Sequence, residues 1–452
     1  MKITVIGGAG VRTVIFINGL LQRYRKLNID EVVLYDIDKE KQEIIGKLCK
    51  YVVARKNEEL KVRVADDAVS AIKDADYIVT TLRVGGDHAR TVDEALALKC
   101  GVIGQETTGI GGFSMAVRTI PALLDYSRLI KEYAGDAWIF NFTNPSGLVT
   151  QALNSAGYEK IIGICDAPSS TKYRMAEKLG VSENRLYVEF FGLNHLSWIK
   201  SVKLDGKEIL NDLLCDNEFL SSIQEFSIFD SELLRSIGYL PNEYLYYYYH
   251  REKVLENMLK ATEARGKAIE EVNIKMMQEL KKIDIDNNPE EALQIFLYYM
   301  QVRENSYMRV EAGTEKATNI EKGKLEVPDG IGYAGVMLDC IEGMQSIEGR
   351  NMVLSVKNNG SIPFLRDEDV VEMTCNVSQN GIVPVKVQDV PEHCELLIRL
   401  IKRYERMTVE YINTKDREKA LGALMMHPLI NSYSLGEKLL DCYDEAYGGL
   451  LK

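Results

Sequence analysis

Cys165 and His195 stand thirty residues apart, in Gly163-Ile164-Cys165 and in Gly192-Leu193-Asn194-His195. A thiolate and an imidazole together can hold a divalent transition metal and leave positions open for substrate oxygens. Spacing alone does not require this, since a buried thiol and a hydrogen-bonded structural histidine account for the same two residues. A second candidate is the run Tyr244-Leu245-Tyr246-Tyr247-Tyr248-Tyr249-His250. On a helix, Tyr244, Tyr247 and Tyr248 share one face, and Tyr246 and Tyr249 share another. One phenol beside a metal would have its pKa lowered and could act as a general base. An aromatic helix packed on the core is the plainer account. Glu106 and Asp166 are loop carboxylates beside the same expected crevice.

The chain begins with a strand, Lys2 to Val5, followed by Gly7-Gly8-Ala9-Gly10-Val11-Arg12-Thr13 and the apolar helical run Val14-Ile15-Phe16-Ile17. A strand turning on glycines into a helix aims backbone N–H groups and a positive helix end at one point, which suits a pyrophosphate. Gly8 and Gly10 fit the dinucleotide fingerprint, while Thr13 occupies the third glycine position. The next strand, Glu31 to Tyr35, ends in Asp36, placed to bind the two ribose hydroxyls of NAD and to disfavour the 2′-phosphate of NADP. A tight turn without a ligand is the alternative.

These residues need a scaffold, and the chain supplies a recurrent one. Strands at 61–65, 77–82, 137–142 and 160–164 alternate with helices, which predicts a Rossmann-like, doubly wound parallel α/β sheet. Ligands sit beyond the carboxyl ends of such strands, where Arg83, Asn144, Cys165 and Asp166 fall. Alternation weakens after Gly192. We therefore expect an NAD-binding domain over 1–192 and a mixed α+β substrate, metal and oligomerisation domain over 193–452. Within the latter, residues 315–332 read as a polar loop. Met352–Val356 and Val370–Val377 read as antiparallel strands joined at a turn on Asn358-Asn359-Gly360. The net charge of −12 argues against nucleic-acid or anionic-membrane partners. No apolar run reaches spanning length, the N-terminus reads as a structural strand, and the eight cysteines lack paired spacing. The expectation is a cytoplasmic protein with reduced thiols.

Taken together the motifs resemble glycoside hydrolase family 4, the NAD- and metal-dependent glycosidases, and in particular the 6-phospho-β-glucosidase branch. The resemblance rests on Val5-Ile6-Gly7-Gly8, Tyr35-Asp36-Ile37-Asp38, Gly104-Gln105-Glu106-Thr107-Thr108-Gly109, Asn141-Phe142-Thr143-Asn144-Pro145-Ser146-Gly147 and the two motifs around Cys165 and His195. The tyrosine run, Asn358-Asn359-Gly360 and His427-Pro428 extend it. It implies hydrolysis by NAD-mediated oxidation at C3 of the sugar, deprotonation at C2, elimination of the aglycone, water addition and re-reduction, outside the two-carboxylate scheme. It also implies Cys165 and His195 as ligands of Mn²⁺ or another divalent metal, and Tyr244 as the base. Asn144 would contact the substrate hydroxyls, and Arg83 would lie on the cofactor and substrate side. A homodimer or homotetramer is expected.

Three departures bear on the substrate. Phospho-sugar members place serines after the first glycines, where this chain has Ala9-Gly10-Val11-Arg12-Thr13. Arg12 could clamp a phosphate bidentately or be a surface arginine. Val327-Pro328-Asp329-Gly330 carries an acid where relatives carry an arginine. Asp166 follows the metal cysteine, as in 6-phospho-α-glucosidases, and could serve as a general acid or orient the metal site. Besides the 6-phospho-β-glucosidase, the sequence leaves open a glycosidase of 6-phospho-α-glucosides or unphosphorylated glycosides, a hydroxy-acid dehydrogenase, and a non-catalytic NAD sensor.

Overall fold

The structure, a computed structural model, describes residues 1–306, 308–313, 325–328 and 332–449. Most of the expected loop at 315–332, Asp329 included, lies outside the described residues.

Six parallel strands form the body of the main sheet: β1 (Lys2–Ile6), β2 (Glu31–Tyr35), β3 (Lys61–Val64), β4 (Tyr77–Thr80), β5 (Trp138–Asn141) and β6 (Ile161–Gly163). Their spatial order is β3-β2-β1-β4-β5-β6, with all neighbours parallel. The chain reverses its direction of winding between β1 and β4, which opens a crevice at their carboxyl ends. Val5, Ile6, Val32, Leu34, Ile78, Val79 and Phe140 are all buried, as strands covered by helices on both faces must be.

The later half of the chain completes this sheet. In the middle, β7 (Leu186–Leu193) and β8 (Leu196–Leu204) form a hairpin, with β9 (Lys207–Glu208) and β10 (Leu240–Pro241) against β8. Then β11 (Arg350–Lys357), β12 (Val370–Ser378) and β13 (Gly381–Pro384) add antiparallel beyond β6. Gly163 permits the junction: a Cβ there would lie 2.6 Å from Thr150 Oγ1 and 2.8 Å from Ser355 Cβ. The hairpin docks on β12, where Phe190 N donates to Thr374 Oγ1 at 2.9 Å. Residue 192 falls inside β7.

Two local expectations change. Residues 358–369 form a longer connection between β11 and β12 rather than a tight turn. Buried Asn358 staples it, accepting from Ile362 N at 2.7 Å and donating to Ile362 O at 3.1 Å, because an asparagine side chain mimics the backbone. The tyrosine run is not one helix. It is a 3₁₀ turn, Glu243–Leu245, then a single helical turn, Tyr246–Tyr249, broken at His250 before the helix Arg251–Lys260.

Candidate active site

A cleft of about 960 Å³ lies beyond the carboxyl ends of β1, β4, β5 and β6. Among the residues singled out in the sequence, Gly7, Gly10, Arg12, Asp36, Arg83, Asn144, Cys165, Asp166, His195 and Tyr244 line it. Gly8 does not. It packs beneath the turn, where a Cβ would meet Leu34 Cβ and Tyr35 N at 2.9 Å. Gly7 has φ +90°, and its Cβ would stand 2.7 Å from Leu82 N. The turn thus lies tight on β2 and β4, leaving its outer side to a ligand. Asp36 faces that side. Its Oδ2 accepts from Ala9 N at 3.1 Å and its Oδ1 from Asp38 N at 3.1 Å.

Across the cleft, His195 sits in the hairpin between β7 and β8 with φ +62°, a conformation that costs a non-glycine residue of order 1 kcal/mol or more. The surroundings hold it there. Gly192 allows Leu196 O to within 2.3 Å of where a Cβ would be. Asn194 donates to Glu372 Oε2 at 2.8 Å. Gly147 lets the helix Ser146–Ser155 approach Asn194. The Asn141 side chain fixes the loop leading to Asn144, accepting from Thr80 Oγ1 at 2.9 Å and from Thr143 N at 3.1 Å.

Cys165 follows β6, with Sγ 3.8 Å from His195 Nε2. Sulfur and nitrogen ligands on one tetrahedral centre stand roughly 3.6 Å apart, so the pair fits a shared metal ion. Burial lowers the His195 pKa to about 4, keeping the imidazole neutral and able to ligate. Burial first, then Glu372 and Asp166, push the Cys165 thiol well above its ordinary value. A thiol ringed by carboxylates is a place where a cation is favoured. Among the described residues there is no cluster of three or more His, Cys, Asp or Glu arranged to hold a metal, so the pair stands without a third such ligand.

The Tyr244 ring stacks on His195, with centroids 3.8 Å apart and planes 13° apart. Its neighbours in the run are engaged elsewhere. Tyr247 donates to Glu311 at 3.1 Å, Tyr248 meets Thr108 Oγ1 at 2.7 Å, Tyr249 accepts from Trp198 Nε1 at 3.1 Å, and Tyr246 packs on His250. Of the five tyrosines, Tyr244 is the one that lines the cleft.

Arg12 is already paired. It lies 3.4 Å from Asp166 Oδ2 and 3.6 Å from Glu304 Oε1, with its guanidinium over the Tyr333 ring. Arg83 donates to Glu106 Oε2 at 2.6 Å, and Arg90 lies 3.0 Å from the same oxygen. Spacing gave no hint of Arg90, Arg265, Arg303 or Tyr333, because isolated residues in helices and loops carry no local pattern. Burial and the nearby Arg12, Arg83 and Arg90 lower the Arg303 pKa to about 10. The guanidinium stays charged at neutral pH and lines the cleft, with Asp87 opposing the neighbouring arginines.

A doubly wound sheet with a glycine turn, an acid at the end of β2 and a Cys–His–Tyr group across the crevice defines the class of dinucleotide-binding enzyme folds. Comparison with known proteins narrows the class. The family 4 glycosyl hydrolase model matches residues 2–181, and the model of that family's C-terminal domain matches 190–430. The chain belongs to the family 4 glycosyl hydrolases. It is 31% identical to a probable 6-phospho-β-glucosidase of Bacillus subtilis, covering 100% of this chain and 97% of the relative. It is 32% identical to a 6-phospho-β-glucosidase of Thermotoga maritima, covering 95% and 94%. The structure of the Thermotoga maritima 6-phospho-β-glucosidase with manganese, NAD⁺ and glucose-6-phosphate matches with a TM-score of 0.82 at 30% identity, over 100% of both chains. No helix among the described residues is long and apolar enough to cross a membrane.

Proposed function

We propose that this enzyme is an NAD- and Mn²⁺-dependent 6-phospho-β-glucosidase. The observation that carries the reading is the stacked Tyr244–His195 pair beside Cys165, across the cleft from the glycine turn. NAD and Mn²⁺, when bound, supply reversible oxidation at C3 and charge stabilisation at the C2 and C3 oxygens. Gly7, Gly10 and Asp36 hold the dinucleotide, with the Asp36 carboxylate favouring NAD over NADP. Cys165 and His195 would hold the metal. Tyr244, as phenolate, accepts the C2 proton, and Asn144 orients the sugar hydroxyls. Arg83, held by Glu106, is on the cofactor and substrate side.

Phosphate recognition is supported by Arg303 on the cleft wall more than by Arg12, whose guanidinium already faces two carboxylates. A second reading, a 6-phospho-α-glucosidase with Asp166 as general acid, draws on the acid after Cys165. It also draws on a 6-phospho-α-glucosidase structure with NAD and glucose-6-phosphate that is 29% identical with a TM-score of 0.78. Against it, Asp166 Oδ2 faces the Arg12 guanidinium at 3.4 Å. We read residues 1–192 and 193–452 as the NAD-binding and substrate units, although the family models divide the chain a few residues earlier, between 181 and 190, and residue 192 lies within β7. The free state of all eight cysteines supports a cytoplasmic enzyme. The expected homodimer or homotetramer is checked by sedimentation.

One assay tests the function. The enzyme is incubated with NAD, Mn²⁺ and aryl glucosides, α or β, with or without a 6-phosphate, in D₂O. Fastest release from the 6-phospho-β-glucoside, with deuterium at C2 of the product, is expected. Release without exchange refutes the proton abstraction, and preference for another substrate refutes the specificity.

A further inference from the structure

Thr107 lies on the loop that precedes the helix Gly109–Tyr133. Three donors converge on one side-chain atom of Gln105: Thr107 N at 2.6 Å, Thr108 N at 2.9 Å and the Thr107 hydroxyl at 2.8 Å. A backbone N–H can only donate, so that atom is the amide oxygen. The Thr107 hydroxyl has a single proton, and it goes to Gln105 Oε1. The lone pairs left on Thr107 Oγ1 face His195 Nδ1 at 3.0 Å. That contact is a hydrogen bond only if Nδ1 carries the proton. A neutral imidazole has one ring proton, so Nε2 keeps its lone pair, and Nε2 is the atom that faces Cys165 Sγ.

We propose that Thr107, backed by Gln105, is a positioning residue that fixes His195 as the Nδ1–H tautomer and so presents Nε2 to the metal. The inference rests on the reading of Cys165 and His195 as the metal pair. It identifies the partner that orients the imidazole, a task usually given to a carboxylate or a backbone carbonyl. Here a hydroxyl does it because its own proton is committed elsewhere.

The loop holds Thr107 in place. Cβ atoms at Gly111 and Gly112 would approach Gln105 O to 2.2 Å and Thr107 O to 2.5 Å, so the helix start packs directly on the loop backbone. Thr108 Oγ1 meets Tyr248 OH at 2.7 Å, and Gly109 N donates to His427 Nε2 at 3.0 Å. The Gln105-Glu106-Thr107-Thr108-Gly109 stretch therefore does two things at once: Glu106 pins Arg83 and Arg90, and Thr107 aims His195. A valine at 107 keeps the shape and removes the acceptor. The imidazole is then free to carry its proton on Nε2, where it blocks the metal.

The tautomer is read directly by ¹⁵N NMR of the metal-free, NAD-bound full chain with labelled histidine, the His195 signals being assigned with His195→Gln. Protonated Nδ1 and unprotonated Nε2 are expected, and the reverse overturns the proposal without any further variant. Mn²⁺ affinity is then measured by titration calorimetry. Thr107→Val is expected to weaken it by about 10–100-fold, and Thr107→Ser to retain it. A Thr107→Val protein that folds and binds Mn²⁺ within about twofold of the parent overturns the proposal. If Thr107→Val does not fold, the parent spectrum and Thr107→Ser still decide. Cys165→Ala and His195→Ala separate the two claims: unchanged Mn²⁺ affinity in both refutes the metal pair, whereas the tautomer is judged in metal-free protein.

Discussion

Glu106→Gln removes one negative charge from beneath two arginines. Glu106 Oε2 accepts from Arg83 Nη1 at 2.6 Å and lies 3.0 Å from Arg90 Nη1. After the change Arg90 keeps Glu94, at 2.7 Å, but Arg83 is left with Asp87 at 3.9 Å. The Glu106 side chain is 15% exposed and that of Arg90 6%, so solvent screens the lost charge poorly. Removing one member of a buried ion pair costs about 3–5 kcal/mol. The glutamine oxygen still accepts one bond, worth about 1 kcal/mol, and Arg83 is partly solvated, which leaves a loss of about 2–3 kcal/mol. At an unfolding entropy of about 2.1 cal/mol/K per residue, 452 residues give about 0.95 kcal/mol/K, and Tm falls by about 2–3 °C. Differential scanning calorimetry reads this shift, and a cycle with Arg83→Met isolates the pair. The pH dependence supplies an independent check. Burial alone would raise the Glu106 pKa, but Arg83, Arg90 and Arg265 outweigh it and hold it well below the usual carboxylate range. A lowered folded-state pKa contributes stability that is complete above the unfolded value of about 4.5 and is lost as pH falls toward the folded value. The gap between parent and variant is therefore constant through neutral pH and closes only below about pH 4.5. A Tm unchanged at pH 7, or a gap that closes between pH 6 and 8, refutes the reasoning.

Tyr244→Phe keeps the ring on His195 and removes the phenol. Turnover should fall by about 10²–10⁴-fold while NAD and Mn²⁺ affinities hold, and undiminished turnover excludes Tyr244 as the base. Asp36→Ala should weaken NAD binding by about 10–100-fold in a fluorescence titration and narrow the preference over NADP, since two charge-assisted ribose bonds are lost. Glu372→Gln tests the opposite pH sign. Burial first, then Glu243, raise the Glu372 pKa to about 7, against opposing bonds from Asn194 and Ser197. A raised carboxyl destabilises the folded state as pH climbs from about 4.5 through 7, by up to roughly 3 kcal/mol. The variant should be relatively more stable than the parent at pH 8 than at pH 5, and equal pH profiles in thermal melts count against this buried proton.

Several site residues were legible because their signals are local. The glycine turn, Asp36 one position after a β-strand, and polar residues at the strand ends follow from chain periodicity and from the rule that ligands bind beyond the carboxyl ends of parallel strands. The resemblance added roles for Cys165, His195 and Tyr244 that spacing alone left open. The Asn358 connection is longer than its sequence suggests, because a buried asparagine that staples a long loop looks, in one dimension, like a turn residue.

By itself the sequence determined the doubly wound sheet, the glycine turn after β1 and the membership signalled by its ordered motifs, since each depends on neighbours along the chain. The tertiary structure decided which tyrosine faces the cleft, which carboxylates Arg12 already serves, and which hydroxyl faces the His195 ring. Contacts such as Thr107 to His195 and Arg12 to Glu304 join residues 88 and 292 positions apart. Their partners are chosen by packing and by the need to satisfy every buried donor and charge, which no stretch of sequence encodes locally.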